Sequence, residues 1–240
     1  MKIDVYFTPN EFSDERLNEY LAVVVDVLRS STSICAALKA GAKEIIPTDS
    51  IAGATQLALS ISRDAILLCG EREGKLVDGF DLGNSPLQFT PEIVKGKALI
   101  FTTTNGTPTI VKARHAHRVL IGGFVNLSTI VNALEQSNHP VCILCAGKLD
   151  QFAIEDAVCA GRILSELQVR LRGDLELNDA ASAALVLSQQ YRNSITKVVS
   201  ESHHGKYLKQ IDMEVDLPFC ADTDRLPVLP IFRDGKITLA

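Results

Sequence analysis

Ala22 to Ile34 reads AVVVDVLRSSTSI, and the change of character inside it sets how the rest of the chain is read. The β-branched run Val23, Val24, Val25 predicts a strand buried on both faces. It stops at Asp26. Arg29 and the hydroxyls Ser30, Ser31 and Thr32 follow, ahead of the helical pattern ICAALKAG with a hydroxyl N-cap and Gly41 at its end. A buried strand that delivers a carboxylate, a guanidinium and a helix N-terminus to one point suits an anionic ligand, a hard metal ion, or both. The plainer reading is that Asp26 and Ser30 only cap a turn and start a helix. Recurrence of the arrangement elsewhere separates the two.

Outward from this stretch, strand and helix patterns alternate. KIDVYF, AKEIIPT, AILLCG, KALIFT, HRVLIGGF and PVCILCAG predict strands, while EFSDERLNEY reads as a loop or short helical turn. DSIAGATQLALSIS, capped by Asp49 or Ser50, TTNGTPTIVKARH after its loop, and NLSTIVNALEQS predict helices. A long helix is expected from Asp150 to about Arg172, and another over DLELNDAASAALVLSQQYR. The tail SESHHGKYLKQIDMEVDLPFCADTDRLPVLP reads as irregular, before a terminal strand pair around IFRDGKITL. This order implies an α/β class of layered α/β/α form with a largely parallel or mixed sheet. From Glu71 to Pro91 no period holds, and a loop of that length with Phe80, Leu82, Leu87 and Phe89 in it is expected to be ordered and functional.

The composition limits the classes of function. With 240 residues, 46% hydrophobic and 22% charged, the chain buries a core without staples. It holds no Trp, which argues against a stacking surface for single-stranded nucleic acid, and its net charge of −5 argues against coating nucleic acid or anionic membrane. No apolar run approaches the roughly 20 residues that span a bilayer, and the opening MKIDVYF lacks a signal-peptide layout. Of the six cysteines, Cys35, Cys142, Cys145 and Cys159 sit in apolar surroundings, which suggests a reduced, cytoplasmic location. Cys142 and Cys145 form a CxxC, but positions three apart on a strand face opposite sides and share no metal. A homodimer is expected on base rates alone.

In α/β sheets, ligands collect beyond the carboxyl ends of strands. Four such ends carry related chemistry: DVLRSST after Val25, GEREGKLVDGFDLGNSP after Cys69, TTTNGT after Phe101, and AGKLDQFAIED after Cys145. Thr102 to Thr107 resemble a phosphate cradle of hydroxyls and backbone N–H groups, with Gly106 admitting a close approach. Asp26, Glu71, Asp81, Glu155 and Asp156 are oxygen donors of the kind Mg²⁺ prefers, more than one ion needs. Arg29, Arg72, Lys75 and Lys148 gather positive charge for phosphate, carboxylate or sulfonate. Asn84 and Ser85 orient a ligand or begin a helix at Pro86, and His203-His204 is a further candidate pair. GxxxxGK[ST], GxGxxG after a strand and GxSxG are all missing. Lys75 stands where a thiol phosphatase following Cys69 needs Arg, and Leu28 where a haloacid dehalogenase following Asp26 needs its second Asp.

Taken together, VVVDVLRSST, GEREG…GFDLGNSP, TTTNGT, FAIEDAVCAG, SHHGKYL and CADTDRLPVLP resemble the 2-phosphosulfolactate phosphatases, the ComB family, from residue 22 to about 230. One departure is Ala153, where the motif FSLED has Ser. The resemblance implies a single α/β phosphatase domain over residues 1–240, with related halves of about 1–92 and 93–240 sharing one site. It implies Mg²⁺-dependent removal of phosphate from 2-phosphosulfolactate to leave 3-sulfolactate, a step of coenzyme M biosynthesis. Under it, Asp26, Glu71, Asp81 and Glu155 become candidate metal ligands. Ser30, Ser31, Arg72, Asn84, Ser85, Thr103, Thr104, Asn105, Gly106 and Lys148 become substrate contacts. Asp26, Arg29, Asp156 and His204 become catalytic candidates, with activated water or Asp26 itself as the nucleophile. The rivals are a phosphatase of the same fold for another small acidic phosphomonoester, and a non-catalytic binder of an anionic metabolite.

Overall fold

A computed structural model describes residues 1–172 and 175–240. The first strands are β1 (Lys2–Tyr6), β2 (Leu21–Val25), β3 (Glu44–Thr48), β4 (Ile66–Arg72), β5 (Lys75–Leu76) and β6 (Ala98–Thr102). The later ones are β7 (Arg118–Gly122), β8 (Val141–Cys145), β9 (Glu176–Leu177), β10 (Pro230–Arg233) and β11 (Lys236–Leu239). Helices α1 (Ser30–Lys39), α2 (Ile51–Ala58), α3 (Pro91–Val94), α4 (Gly106–Lys112) and α5 (Leu127–Glu135) belong to the first part of the chain. The rest are α6 (Ile154–Leu171), α7 (Asp179–Gln190), α8 (Ile195–Glu201), α9 (His203–Gln210) and α10 (Asp216–Ala221).

The strands join one mixed sheet in the order β5-β4-β6-β3-β11-β10-β7-β2-β8-β1-β9, in a layered α/β fold. It contains two parallel runs, β4-β6-β3 and β7-β2-β8-β1-β9. The β10–β11 hairpin sits between them and pairs antiparallel on both sides, with β7 and β3. Three antiparallel pairings in succession reverse direction, so the two parallel runs point opposite ways. The expectation of strand ends along one common edge is corrected here. In a flat sheet, β2 and β6 would deliver their loops to opposite edges.

The sheet is not flat. One buried cluster combines Ile45, Leu99 and Phe101 of the first run with Ala22, Val24 and Ile121 of the second, together with Ile34 of α1 and Ile110 of α4. A twisted sheet of this width curls, and its two wings close on a shared core. The other face of β2 packs Val23 and Val25 against α5 and α6 through Ile130, Val158 and Leu164. Cys142 lies in the first core and Cys145 in the second, as the strand period requires. Strands from residues 1–92 and 93–240 interleave: β6 lies between β4 and β3, and β7 and β8 flank β2.

Several expectations shift locally. Arg29, not a hydroxyl, occupies the N-cap of α1, with no side-chain cap bond, because the Ser30 hydroxyl donates to Asp26 instead. Ser50 caps α2. The helix expected over DLELND begins only at Asp179, since Glu176–Leu177 pair with β1 as an edge strand; Asp174, its first expected residue, lies outside the described residues. The tail is helical rather than irregular, and His203 and His204 open α9 under a Ser202 cap. Its helices of six to eight residues are too short to show a period. Among the described residues no helix is long and apolar enough to cross a membrane.

Candidate active site

At the end of β2, Asp26 turns back on its own helix. Its backbone N–H donates to Ser31 Oγ at 2.9 Å, and its Oδ2 accepts from Ser30 Oγ at 2.8 Å. Ser30 Oγ also stands 3.1 Å from Thr103 Oγ1, which joins this turn to the loop after β6. That loop approaches closely because residue 106 is glycine. A Cβ there would lie 2.5 Å from Asp26 Oδ2 and from Ser30 Oγ, far inside van der Waals contact.

Glu71 at the end of β4 ties two loops. Oε1 accepts from Thr104 N–H at 2.7 Å, and Oε2 accepts from Gly74 N–H at 2.6 Å and Thr104 Oγ1 at 3.2 Å. From the other wing, Lys148 follows β8 and carries its ammonium 4.2 Å from the centre of the Tyr207 ring. Glu155 and Asp156 occupy the first turn of α6, where the helix dipole favours acids. His204 of α9 places Nδ1 3.8 Å from Glu155 Oε1.

These groups surround a cavity of about 350 Å³ whose wall includes Asp26, Arg29, Glu71, Asn84, Lys148 and His204. Glu155 lines an adjoining cavity of about 220 Å³, which shares Lys148 and His204 with the first. A larger cavity of about 530 Å³, beside the start of β2 and β7, holds the stacked rings of His117 and His139 but no carboxylate. The buried carboxyls of Asp26, Glu71 and Glu155 therefore line the two adjoining cavities and not this larger one.

A family model for 2-phosphosulpholactate phosphatase matches residues 6–235. The chain belongs to this family. It is 36% identical over 237 residues to a protein of Caldanaerobacter subterraneus subsp. tengcongensis, covering 99% of this chain and 98% of that one. It is 40% identical over 225 residues to one from Symbiobacterium thermophilum, covering 94% and 96%. A third match, from Gloeothece citriformis, is 39% identical over 241 residues, covering 100% and 99%. All three are named "Probable 2-phosphosulfolactate phosphatase". The family is one of phosphoric monoester hydrolases, and this chain is an enzyme of that class.

For a phosphatase, the electrostatics of the cavity are demanding. Burial pushes the Asp26 carboxyl up to about 6, against the Ser30 hydrogen bond and aided by the Glu71 charge. Burial likewise pushes Glu155 up to about 7, with the Asp26 charge adding to it. Asp156 is raised well above the usual carboxylate range by burial and by Glu155 and Asp26. His204 is driven down to about 3 by burial and the charges of Lys148 and Arg29, so its ring is neutral. Burial lowers the Lys148 ammonium.

Not every predicted site residue faces this cavity. Asp81 does not: its carboxylate pairs with Arg63 Nη2 at 2.5 Å and accepts from Leu68 N–H at 2.8 Å. Arg72 donates to Glu71 O and Thr102 Oγ1. Ser31 Oγ bonds Asp26 N–H, and Thr103 Oγ1 accepts from Thr107 N–H at the start of α4. Asp156 accepts from Val27 N–H at 2.8 Å and Gly147 N–H at 3.1 Å, clamping the turn after β2 to the turn after β8. Ser85 donates to Asp216 at 2.6 Å. These six are structural ties around the site. Asp26, Arg29, Ser30, Glu71, Asn84, Thr104, Asn105, Lys148 and His204 do converge on it. Asn84 Oδ1 is buried with no hydrogen-bond partner, which suits a group awaiting a ligand. Asp216 went unmarked in the sequence, and Tyr207 entered only as part of the segment SHHGKYL. A lone Asp opening a six-residue helix and a Tyr in a polar helix carry no local signal.

The donor chemistry fits a hard dication. Asp26 and Glu155 are buried oxygen donors that repel each other, and bringing a divalent cation between them would relieve that repulsion. Among the described residues no three His, Cys, Asp or Glu side chains form a metal cage. The fit is to an ion held by one or two carboxylates and completed by water and substrate oxygens, the usual manner of Mg²⁺.

Proposed function

We propose that this enzyme hydrolyses 2-phosphosulfolactate to 3-sulfolactate and phosphate, with Mg²⁺ as cofactor, in a coenzyme M type of pathway and in the cytoplasm. The observation that carries the reading is the charge balance of the cavity. The Arg29 guanidinium is already paired to Asp216, so among the described residues of the cavity wall Lys148 is the one Lys or Arg not offset by an ion pair, facing the carboxyls of Asp26, Glu71 and Glu155. A substrate bearing phosphate, sulfonate and carboxylate enters such a wall only if further positive charge comes with it. Asp26 and Glu155 would hold Mg²⁺, which when bound offsets phosphoryl charge and acidifies bound water. Six free cysteines, all buried, suit a reducing compartment.

The chain's own residues then have separable tasks. Asn105 and Asn84, through their amide N–H groups, orient phosphoryl oxygens, while Ser30 holds Asp26 and Gly106 keeps the loop close enough. Lys148, held over Tyr207, takes the sulfonate or carboxylate. The neutral His204 ring, with Nδ1 3.8 Å from Glu155 Oε1, orients the attacking water. Phosphoryl transfer asks mainly for positioning and charge stabilisation, which this set supplies. Water rather than Asp26 is the nucleophile, because no second acid stands two residues after Asp26.

The test is phosphate release from 2-phosphosulfolactate, phospholactate and p-nitrophenyl phosphate, with EDTA and with Mg²⁺ restored. The expected result is highest kcat/KM for 2-phosphosulfolactate, lost with EDTA and regained with Mg²⁺. Preference for another ester would replace the substrate assignment, and metal-independent turnover would remove the cofactor.

A further inference from the structure

Arg29 lies inside the protein, where groups distant in sequence close on it. Nη1 donates to Asp216 Oδ2 at 2.6 Å, with side-chain exposures of 2% and 0%. Nη2 donates to Gly74 O at 2.7 Å. The other Asp216 oxygen, Oδ1, accepts from Ser85 Oγ at 2.6 Å. Asp216 therefore uses both oxygens, and Arg29 keeps uncommitted N–H groups, since a guanidinium carries five. Arg29 lines the cavity and Asp216 does not.

We propose that Asp216 is a positioning residue for the phosphatase reaction, holding the Arg29 guanidinium so that its free N–H groups meet the transferring phosphoryl charge. The proposal rests on the phosphatase reading of the cavity. The physical case is one of competition. Arg29 is close enough to Asp26 for its charge to be felt there. An unrestrained guanidinium beside that carboxylate would pair with it bidentately, removing Asp26 and Arg29 from the chemistry together. Asp216 draws Arg29 the other way and leaves Asp26 to face the cavity. Stability alone would not call for this pair. A buried ion pair does about as well as a hydrophobic replacement of similar volume, so the place of Arg29 in the cavity wall points to orientation. Ser85, which the sequence marks as a substrate contact, instead fixes the carboxylate of Asp216 and acts one step further back.

A double-mutant cycle with Asp216→Asn, Arg29→Met and the double variant tests this, with Ser85→Ala as a milder probe. Asp216→Asn is expected to lower kcat roughly 10²-fold while KM moves less than about threefold. In the Arg29→Met background the same change should cost nothing further, because Asp216 acts only through Arg29. Ser85→Ala should lower kcat about tenfold with an unchanged melting temperature. Folded Asp216→Asn with wild-type kcat, or losses that multiply in the double variant, would overturn the proposal. If Asp216→Asn does not fold, Ser85→Ala decides: reduced kcat supports the proposal and unchanged kcat overturns it. Failure of the substrate reading appears in the wild-type enzyme, and the cycle is then run on the ester it does hydrolyse. If it hydrolyses none, calorimetric affinity for inorganic phosphate replaces kcat. Equal weakening in Asp216→Asn and Arg29→Met supports the proposal, and wild-type affinity in Asp216→Asn overturns it.

Discussion

Gly106→Ala is the smallest change that reaches the proposed reacting centre. The added methyl would start 2.5 Å from Asp26 Oδ2, Ser30 Cβ and Ser30 Oγ, atoms that are themselves buried and bonded. Ordinary contact begins near 3.4 Å, so the α4 loop and the Asp26 turn must part by roughly 1 Å. A displacement of that size at a positioned carboxylate costs on the order of 10²-fold in rate, or about 2.7 kcal/mol of transition-state stabilisation. Stability should suffer less. Overpacking costs about 1–3 kcal/mol, while alanine recovers about 0.5–1 kcal/mol of the glycine's backbone entropy. The net of roughly 0–2.5 kcal/mol lowers the melting temperature by at most about 10 °C for a chain of this size. The assay is kcat from phosphate release at saturating substrate and Mg²⁺, beside a calorimetric melt. A folded Gly106→Ala enzyme with kcat within about threefold of wild type would show that Asp26 is not at the reacting centre.

Three further outcomes follow from the same geometry. Ala153 caps α6 with extended backbone (φ −115°, ψ 119°) and no side-chain cap bond; Ala153→Ser should add about 1 kcal/mol and raise the melting temperature by about 2–4 °C, and no rise would exclude a capping role. Asp156→Asn keeps only one acceptor for the two N–H groups of Val27 and Gly147; thermal melts should show a loss of about 1–3 kcal/mol, and an unchanged melt would contradict the clamp. The third concerns pH. Glu155 and Asp26 hold protons to about 7 and about 6 in the native protein, whereas the unfolded chain releases them at ordinary carboxylate values. The native state thus binds more protons, and stability falls as pH rises through those values. His204, lowered to about 3, acts in the opposite sense below its ordinary value, so the fall is clearest from about pH 6.5 upward. Metal-free protein should melt lower at pH 8 than at pH 6.5, and saturating Mg²⁺ should flatten the difference. A metal-free melting temperature that rises over this window would refute the burial argument.

Much of the site was legible in short stretches because its chemistry is partly local. The turn from β2 into α1 encloses Asp26, Ser30 and Ser31 within six residues, so their mutual bonds follow from sequence spacing. TTTNGT likewise announces a loop that needs a glycine, and the structure supplies the reason in the close approach to Asp26. Strand periodicity separated Cys142 from Cys145 correctly, since side chains on a strand alternate faces. Asp81 shows the limit. Its residue type and loop are those of a metal ligand, yet Arg63, 18 positions earlier, takes the carboxylate.

By itself, then, the sequence determined the α/β alternation, the buried strand that ends at Asp26, and the family. These rest on side-chain period, turn chemistry and motif order, all of which act over a few residues. Only the tertiary structure decided which charges meet. The β10–β11 hairpin reverses the polarity of the sheet, and the curl of that sheet then brings two opposed wings onto one core. That closure sets Asp26 near Glu155 and places Asp216, 187 residues away, on Arg29. No local pattern encodes such partners, because a buried charge pairs with whatever the packed core brings within hydrogen-bond reach.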